Sequence, residues 1–138
     1  MVKLEVLQKR IEKAREYLKF LEEVKNNYNV EEFVKDKMLY GSTERFLHLT
    51  IEALIDIGNH IISDEDLGKV DRYSDIPIIL YKNNYLDENM KDIFIKIIGF
   101  RNILVHDYLD IDKKRVYEIL NENLNDLKEI LQKYASFL

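Results

Sequence analysis

An arginine and, five residues later, a histidine stand in the run Gly99-Phe100-Arg101-Asn102-Ile103-Leu104-Val105-His106-Asp107-Tyr108. A guanidinium is always charged and presents a planar fork of donors that grips two oxygens of a carboxylate or phosphate at once. An imidazole titrates near neutrality and can take or give a proton at working pH. Together they suit proton transfer beside an anion. On an unbroken α-helix the two would lie about 140° apart and about 7.5 Å along the axis, so they do not share a face. Either the helix ends within the run or the two residues serve a site shared with another chain. The bland alternative is a surface salt-bridge donor and a histidine capping a helix C-terminus, where cations are favoured. The neighbours weigh against it. Phe100, Ile103, Leu104 and Val105 embed the pair in apolar sequence, so both side chains should emerge beside the core, with Asn102, Asp107 and Tyr108 as polar company.

A second constellation is Glu52, Asp56 and His60, spaced i, i+4, i+8. It fits a metal or support site, or a solvated or interface edge on which Asp56 orients His60. Asp56 and Asn102 are therefore taken as supporting candidates. Zinc is disfavoured, because the chain has three histidines, none in His-x-x-x-His spacing, and no cysteine. No Gly-x-Ser-x-Gly elbow and no glycine-rich phosphate loop occurs, so no cofactor or metal is expected.

The elements that must position these residues are helices. Leu4, Leu7, Ile11, Ala14, Leu18 and Leu21 recur every three or four residues, which predicts a helix over 2–27. A second helical segment starts at Val30-Glu31-Glu32, with Phe33, Val34, Met38 and Leu39 as its apolar face. From Ser42 the pattern continues to residue 63 as one helix, or two with a bend near Gly41. Residues 63–74 read as the longest loop, Ser74 as the cap of a short helix with Pro77 in its first turn, and Asp87 as the cap of a helix running into the Arg101 motif. Asp110-Ile111-Asp112 caps a last helix. Five or six helices with short connections predict an all-α, antiparallel helical bundle.

Composition agrees. The 138 residues fit one domain, 1–138; 46% are hydrophobic and 34% charged, with one Pro and four Gly, so the elements are few and long. The absence of cysteine suits a reducing cytoplasm, and the N-terminus lacks the apolar core of a signal peptide. No stretch approaches 18 apolar residues, so no membrane role is expected. The net charge of −5 opposes general attraction to nucleic acid. An RNA contact would need cations concentrated locally, for instance by dimerisation.

The run from Arg101 to Tyr108 matches the Arg-x4-His-x-Tyr signature, and by it the chain resembles the HepT-like toxins of the HEPN superfamily. The stretch from Thr43 to His60 is similar to that family's long second helix, and Tyr73-Ser74-Asp75-Ile76-Pro77 to its loop leading into the next helix. The resemblance implies a dimeric all-helical ribonuclease, the toxin of a type VII-like toxin–antitoxin pair. Arg101 and His106 are then catalytic. Tyr108 is then the residue on which a partner nucleotidyltransferase antitoxin places AMP.

The residue types fit that chemistry. Metal-independent RNA cleavage needs a base to activate the 2′-hydroxyl and a cation to stabilise the phosphorane. It also needs an acid for the departing 5′-oxygen; since one chain supplies one such histidine, a homodimer is expected to bring two motifs together. Two alternatives are a non-catalytic nucleotide-binding or accessory subunit of a minimal nucleotidyltransferase, and an inert helical dimerisation module.

Overall fold

The computed structural model describes residues 4–106 and 112–138, leaving aside the side chains of Ile103, Val105 and His106. The described residues form six helices: α1 (Leu4–Asn27), α2 (Val30–Lys35), α3 (Lys37–Asp64), α4 (Asp75–Lys82), α5 (Glu88–His106) and α6 (Lys113–Ala135). The expected all-α bundle is therefore found. Among the described residues no helix is long and apolar enough to cross a membrane.

The three- and four-residue spacing turns one stripe of each long helix inward. In α1 it buries Leu7, Ile11, Ala14, Leu18, Leu21 and Val24, while Leu4, the first member of the predicted stripe, is largely exposed. Arg10 on α1 meets Asp56 on α3, and Phe20 meets Phe46, so α1 and α3 run antiparallel. Lys128 on α6 reaches Glu22 on α1 at 2.7 Å. That bond holds the Glu22 carboxyl below its ordinary range. At the far end of α6 the fully buried Tyr134 donates its hydroxyl to the Leu54 carbonyl, 3.1 Å away. Burial raises the Tyr134 pKa, so the hydroxyl stays a donor.

Three local expectations are corrected. The break after α2 falls at Asp36 and not near Gly41. Asp36 donates its N–H to Phe33 O and accepts from Leu39 N at 3.1 Å, closing one helix and opening the next. Restarting at Lys37 turns Met38 outward, 85% exposed, so it is not part of an apolar face. Gly41 lies within α3, where the hydroxyls of Ser42 and Thr43 bond back to the Met38 and Leu39 carbonyls. Finally, Ser74 has helical dihedrals and makes no side-chain cap. The amides of Asp75 and Ile76 are taken instead by the Arg72 and Tyr73 carbonyls at 3.0 and 3.1 Å, while the Asp75 carboxylate turns back to fix the preceding turn, accepting from Asp71 N at 3.1 Å and Arg72 N at 2.9 Å. The remaining caps are as read: Asp87 accepts from Met90 N at 2.7 Å and Asp112 from Lys114 N at 3.0 Å. The proposed cap contributions of Asp110 and Ile111 lie outside the described residues.

Candidate active site around Arg101

Helix α5 buries Phe94, Ile97, Ile98, Phe100 and Leu104. Arg101 leaves the helix at the edge of that apolar face, and its side chain is only 14% exposed. Three groups hold it. Its Nε donates to Glu52 Oε1 on α3. Its Nη1 donates to Asn102 Oδ1 at 3.1 Å. Its guanidinium carbon lies 4.9 Å from the centroid of the Tyr73 ring, in the loop before α4. A cation drawn so far from water needs a charged partner, which the Glu52 carboxylate supplies, while the tyrosine face adds a cation–π contact. The Nη2 amino group makes no hydrogen bond among the described residues.

Glu52 belongs to a ladder along α3. His48 Nε2 is 3.2 Å from Glu52 Oε1, and His60 Nε2 is 3.8 Å from Asp56 Oδ1, each pair four residues apart. Arg45 Nη1 approaches His48 Nδ1 at 3.5 Å. Arginine only donates, so this contact favours the tautomer in which Nδ1 accepts and Nε2–H donates to Glu52. The two carboxylates of the ladder each receive an arginine from a different helix: Arg101 of α5 on Glu52, Arg10 of α1 on Asp56. Among the described residues no group of three His, Cys, Asp or Glu is assembled to hold a metal ion.

The structure thus brings Arg101 and Asn102 together. It directs Asp56 to Arg10 and His60, in the next rung from Arg101. The backbone of helix α5 continues from Arg101 to His106, so the helix does not end between the two residues. The His106 side chain, Asp107 and Tyr108 lie outside the described residues. Sequence reasoning did not find Glu52 as the partner of Arg101, nor His48 and Tyr73. The one available signal was that the Glu52–Asp56–His60 series extends back by the same step of four to His48.

Two clefts border the turn that carries Tyr73, one toward α3 and one toward α5. One, of about 310 Å³, is lined by Glu52, Asp56, Asn59, Asp71 and Tyr73. The other, of about 560 Å³, is lined by Asp71, Arg72, Tyr73, Ser74, Ile95, Ile98, Gly99 and Asn102. Three carboxylates line the first; the second has one, Asp71, beside Arg72, with Ile95 and Ile98 as its apolar part and Ser74 and Asn102 as neutral polar groups.

The sequence pattern of the ribonuclease HepT-like family matches residues 14–134, which include the Arg101–His106 segment and the Glu52 ladder. The chain belongs to that family. Over 100 residues this HepT-like chain is 32% identical to the mRNA nuclease HepT of Shewanella oneidensis, covering 72% of this chain and 75% of the relative. Over 133 residues it is 29% identical to the tRNA nuclease HepT of Aphanizomenon flos-aquae, covering 96% and 90%. Its fold superposes with a TM-score of 0.85 on the tri-AMPylated Shewanella oneidensis HEPN toxin solved in complex with an MNT antitoxin, at 27% identity over 95% of this chain and 97% of that one.

Proposed function

We propose that this HepT-like protein is the RNA-cleaving toxin of a toxin–antitoxin pair, acting as a homodimer at Arg101 and His106 and silenced by AMP on Tyr108. The observation that carries the reading is the hold on Arg101. A side chain fixed by Glu52, Asn102 and Tyr73, with no hydrogen bond to its Nη2 among the described residues, is preorganised to meet a phosphate without further reorganisation. The relatives act on mRNA and on tRNA by their names, which points to RNA as the substrate class.

The chemistry needs no group beyond the two signature residues and a second copy of the chain. His106 of one copy takes the proton of the ribose 2′-hydroxyl, the 2′-oxygen bonds to phosphorus, and Arg101 neutralises the charge that gathers on the phosphate oxygens. The bond from phosphorus to the 5′-oxygen breaks, and the histidine of the second copy returns a proton to that oxygen. A 2′,3′-cyclic phosphate and a free 5′-hydroxyl result, with protons balanced.

Incubating the purified protein with mRNA and with tRNA, with and without chelator, tests this reading. Cleavage should persist in chelator and leave cyclic phosphate ends. It should vanish in His106→Ala and fall by about 10²–10³-fold in Arg101→Lys, since an ammonium cannot make the two-point phosphate contact. A folded His106→Ala protein that still cuts, or activity abolished by chelator, overturns the mechanism. Intact RNA under all conditions, with a nucleotidyltransferase still bound, would favour the accessory-subunit alternative.

A further inference from the structure

Tyr73 is 45% exposed, as Tyr28, Tyr81 and Phe137 nearly are, but it is the one of these whose ring lies against Arg101. It is not on a loose loop. The Asp75 carboxylate accepts from Asp71 N and Arg72 N, and the Asp75 and Ile76 amides bond back to the Arg72 and Tyr73 carbonyls at 3.0 and 3.1 Å. The ring is therefore presented at a fixed angle, with Arg101 over it. On the α5 side the 560 Å³ cleft opens directly beside this pair. Ile95 and Ile98 supply its apolar lining, and Asp71, Arg72, Ser74 and Asn102 its polar groups. Because Asn102 Oδ1 is engaged by Arg101, the amide nitrogen is the group left to donate.

An exposed aromatic beside a phosphate-gripping cation, over a slot with apolar lining and hydrogen-bonding groups around it, has the chemistry that recognises an unstacked nucleobase. The cleft on the α3 side suits it less: Glu52, Asp56 and Asp71 line it, against Asp71 alone on the α5 side, and Arg72 lines both, so a strand carrying phosphates meets more repulsion there. We infer that the cleft between the 71–74 turn and the Ile95–Asn102 face of α5 is the subsite for one nucleoside of a single-stranded RNA, the one joined to the phosphate on Arg101, with Tyr73 as its stacking platform. The inference rests on the ribonuclease reading above and gives it direction, since the strand must leave Arg101 toward α5 and away from the carboxylate ladder.

Binding separates the two. In a His106→Ala background, fluorescence anisotropy measures the affinity of short fluorescein-labelled RNA oligomers in which an abasic site is moved one position at a time. One abasic position should weaken binding by about tenfold, within the range for loss of a single stacked base. Tyr73→Ala should weaken the intact oligomer by a similar factor and abolish the extra penalty at that position, whereas Tyr73→Phe should behave as the parent. Gly99 lies on α5 where an added Cβ would meet nothing within 4 Å, so Gly99→Leu fills the cleft without disturbing the helix. It should weaken the intact oligomer but not the one abasic at the sensitive position. If abasic sensitivity survives in Tyr73→Ala, or if Tyr73→Ala lowers affinity equally at every position while Gly99→Leu changes nothing, Tyr73 merely supports Arg101 and the subsite is refuted. Should binding follow the expected pattern while the unmodified protein cleaves no RNA, the ribonuclease reading fails and the subsite stands.

Discussion

The side chain of Arg101 is more enclosed than its catalytic candidacy required, and its partner on α3 decides what it can do. Removing Glu52 leaves a cation that is 14% exposed without its counter-charge. Because Glu52 itself is one-third exposed, the stability loss should be about 1–2 kcal/mol, below that of a fully buried pair. The kinetic effect should be larger. Glu52→Ala should lower kcat/KM for RNA by about 10²-fold through misplacement of the guanidinium, with Glu52→Gln, which keeps an acceptor oxygen, recovering part of it. Steady-state kinetics on proteins of equal helicity check this, and an unchanged kcat/KM in Glu52→Ala would remove Glu52 from the site. At Tyr108 the expectation concerns regulation. AMP on the phenol would bring a phosphodiester charge and an adenosine within reach of Arg101, two residues along from His106. Tyr108→Phe should still cut RNA but escape silencing when a nucleotidyltransferase is co-expressed, and intact-mass measurement should find AMP on the parent and none on the variant. An adduct mapped to another tyrosine defeats this role.

At the scale of single elements, the turn before α4 and the crossing of α3 with α6 are the informative places. Two backbone N–H groups, from Arg72 and Asp71, hold the Asp75 carboxyl below its ordinary pKa of 3.8. A carboxyl whose folded pKa is depressed adds stability above its unfolded value and loses it as pH falls through the folded one. The stability gap between the parent and Asp75→Ala should therefore be constant at neutral pH and close below about pH 4. Urea denaturation at a series of pH values measures it, and a gap independent of pH would show that the carboxylate does not organise the turn. Gly58 faces α4 and α6 so closely that a Cβ would lie 2.7 Å from the Tyr134 hydroxyl and 2.8 Å from Ile76 Cγ2. Gly58→Ala should destabilise by about 1–3 kcal/mol by overpacking, despite alanine's better helix propensity. Tyr134→Phe alone should cost about 1 kcal/mol for the lost bond to Leu54. Combined, the two should cost less than their sum, because the second removes an atom the first collides with. Strict additivity would contradict this packing.

Long helices were legible because apolar spacing and capping residues are local signals: α1, α5 and α6 follow their periodicity almost to the residue. The Asp36 break was hidden, since an aspartate flanked by lysines inside a helical pattern looks like a solvated face until its side chain is seen on Leu39 N. The role of Asp75 was hidden for a related reason: its type suits a cap, and only three dimensions show that its carboxylate turns back onto the amides of Asp71 and Arg72, before the helix. The Arg101–Glu52 pair lies beyond any spacing rule, because the partners are 49 residues apart on different helices.

For the molecule as a whole, the acidic balance and the single histidine of the signature converge on association. A two-fold assembly would double the local density of Arg101 against a chain of net charge −5 and provide the second proton carrier. Light scattering should therefore report a mass near twice 16.6 kDa at micromolar concentration, and cleavage should fall off on dilution more steeply than in proportion to protein. A monomer that cleaves with strictly first-order dependence on enzyme would rule out the shared site.

The bond from Tyr134 to Leu54 also has a consequence in time. It joins residues 80 apart, and Leu54 lies half a turn from Glu52 on the helix that holds Arg101. Every residue assigned to the site precedes residue 134 in order of synthesis. While the protein is being made, α3 lacks the α6 surface it packs on until Tyr134 has left the ribosome, and Arg101 lacks its settled anchor for as long. A ribosome stalled on its own message with α6 still unmade should therefore display an inert chain, so that the cell meets an active nuclease only after translation has passed this hydroxyl.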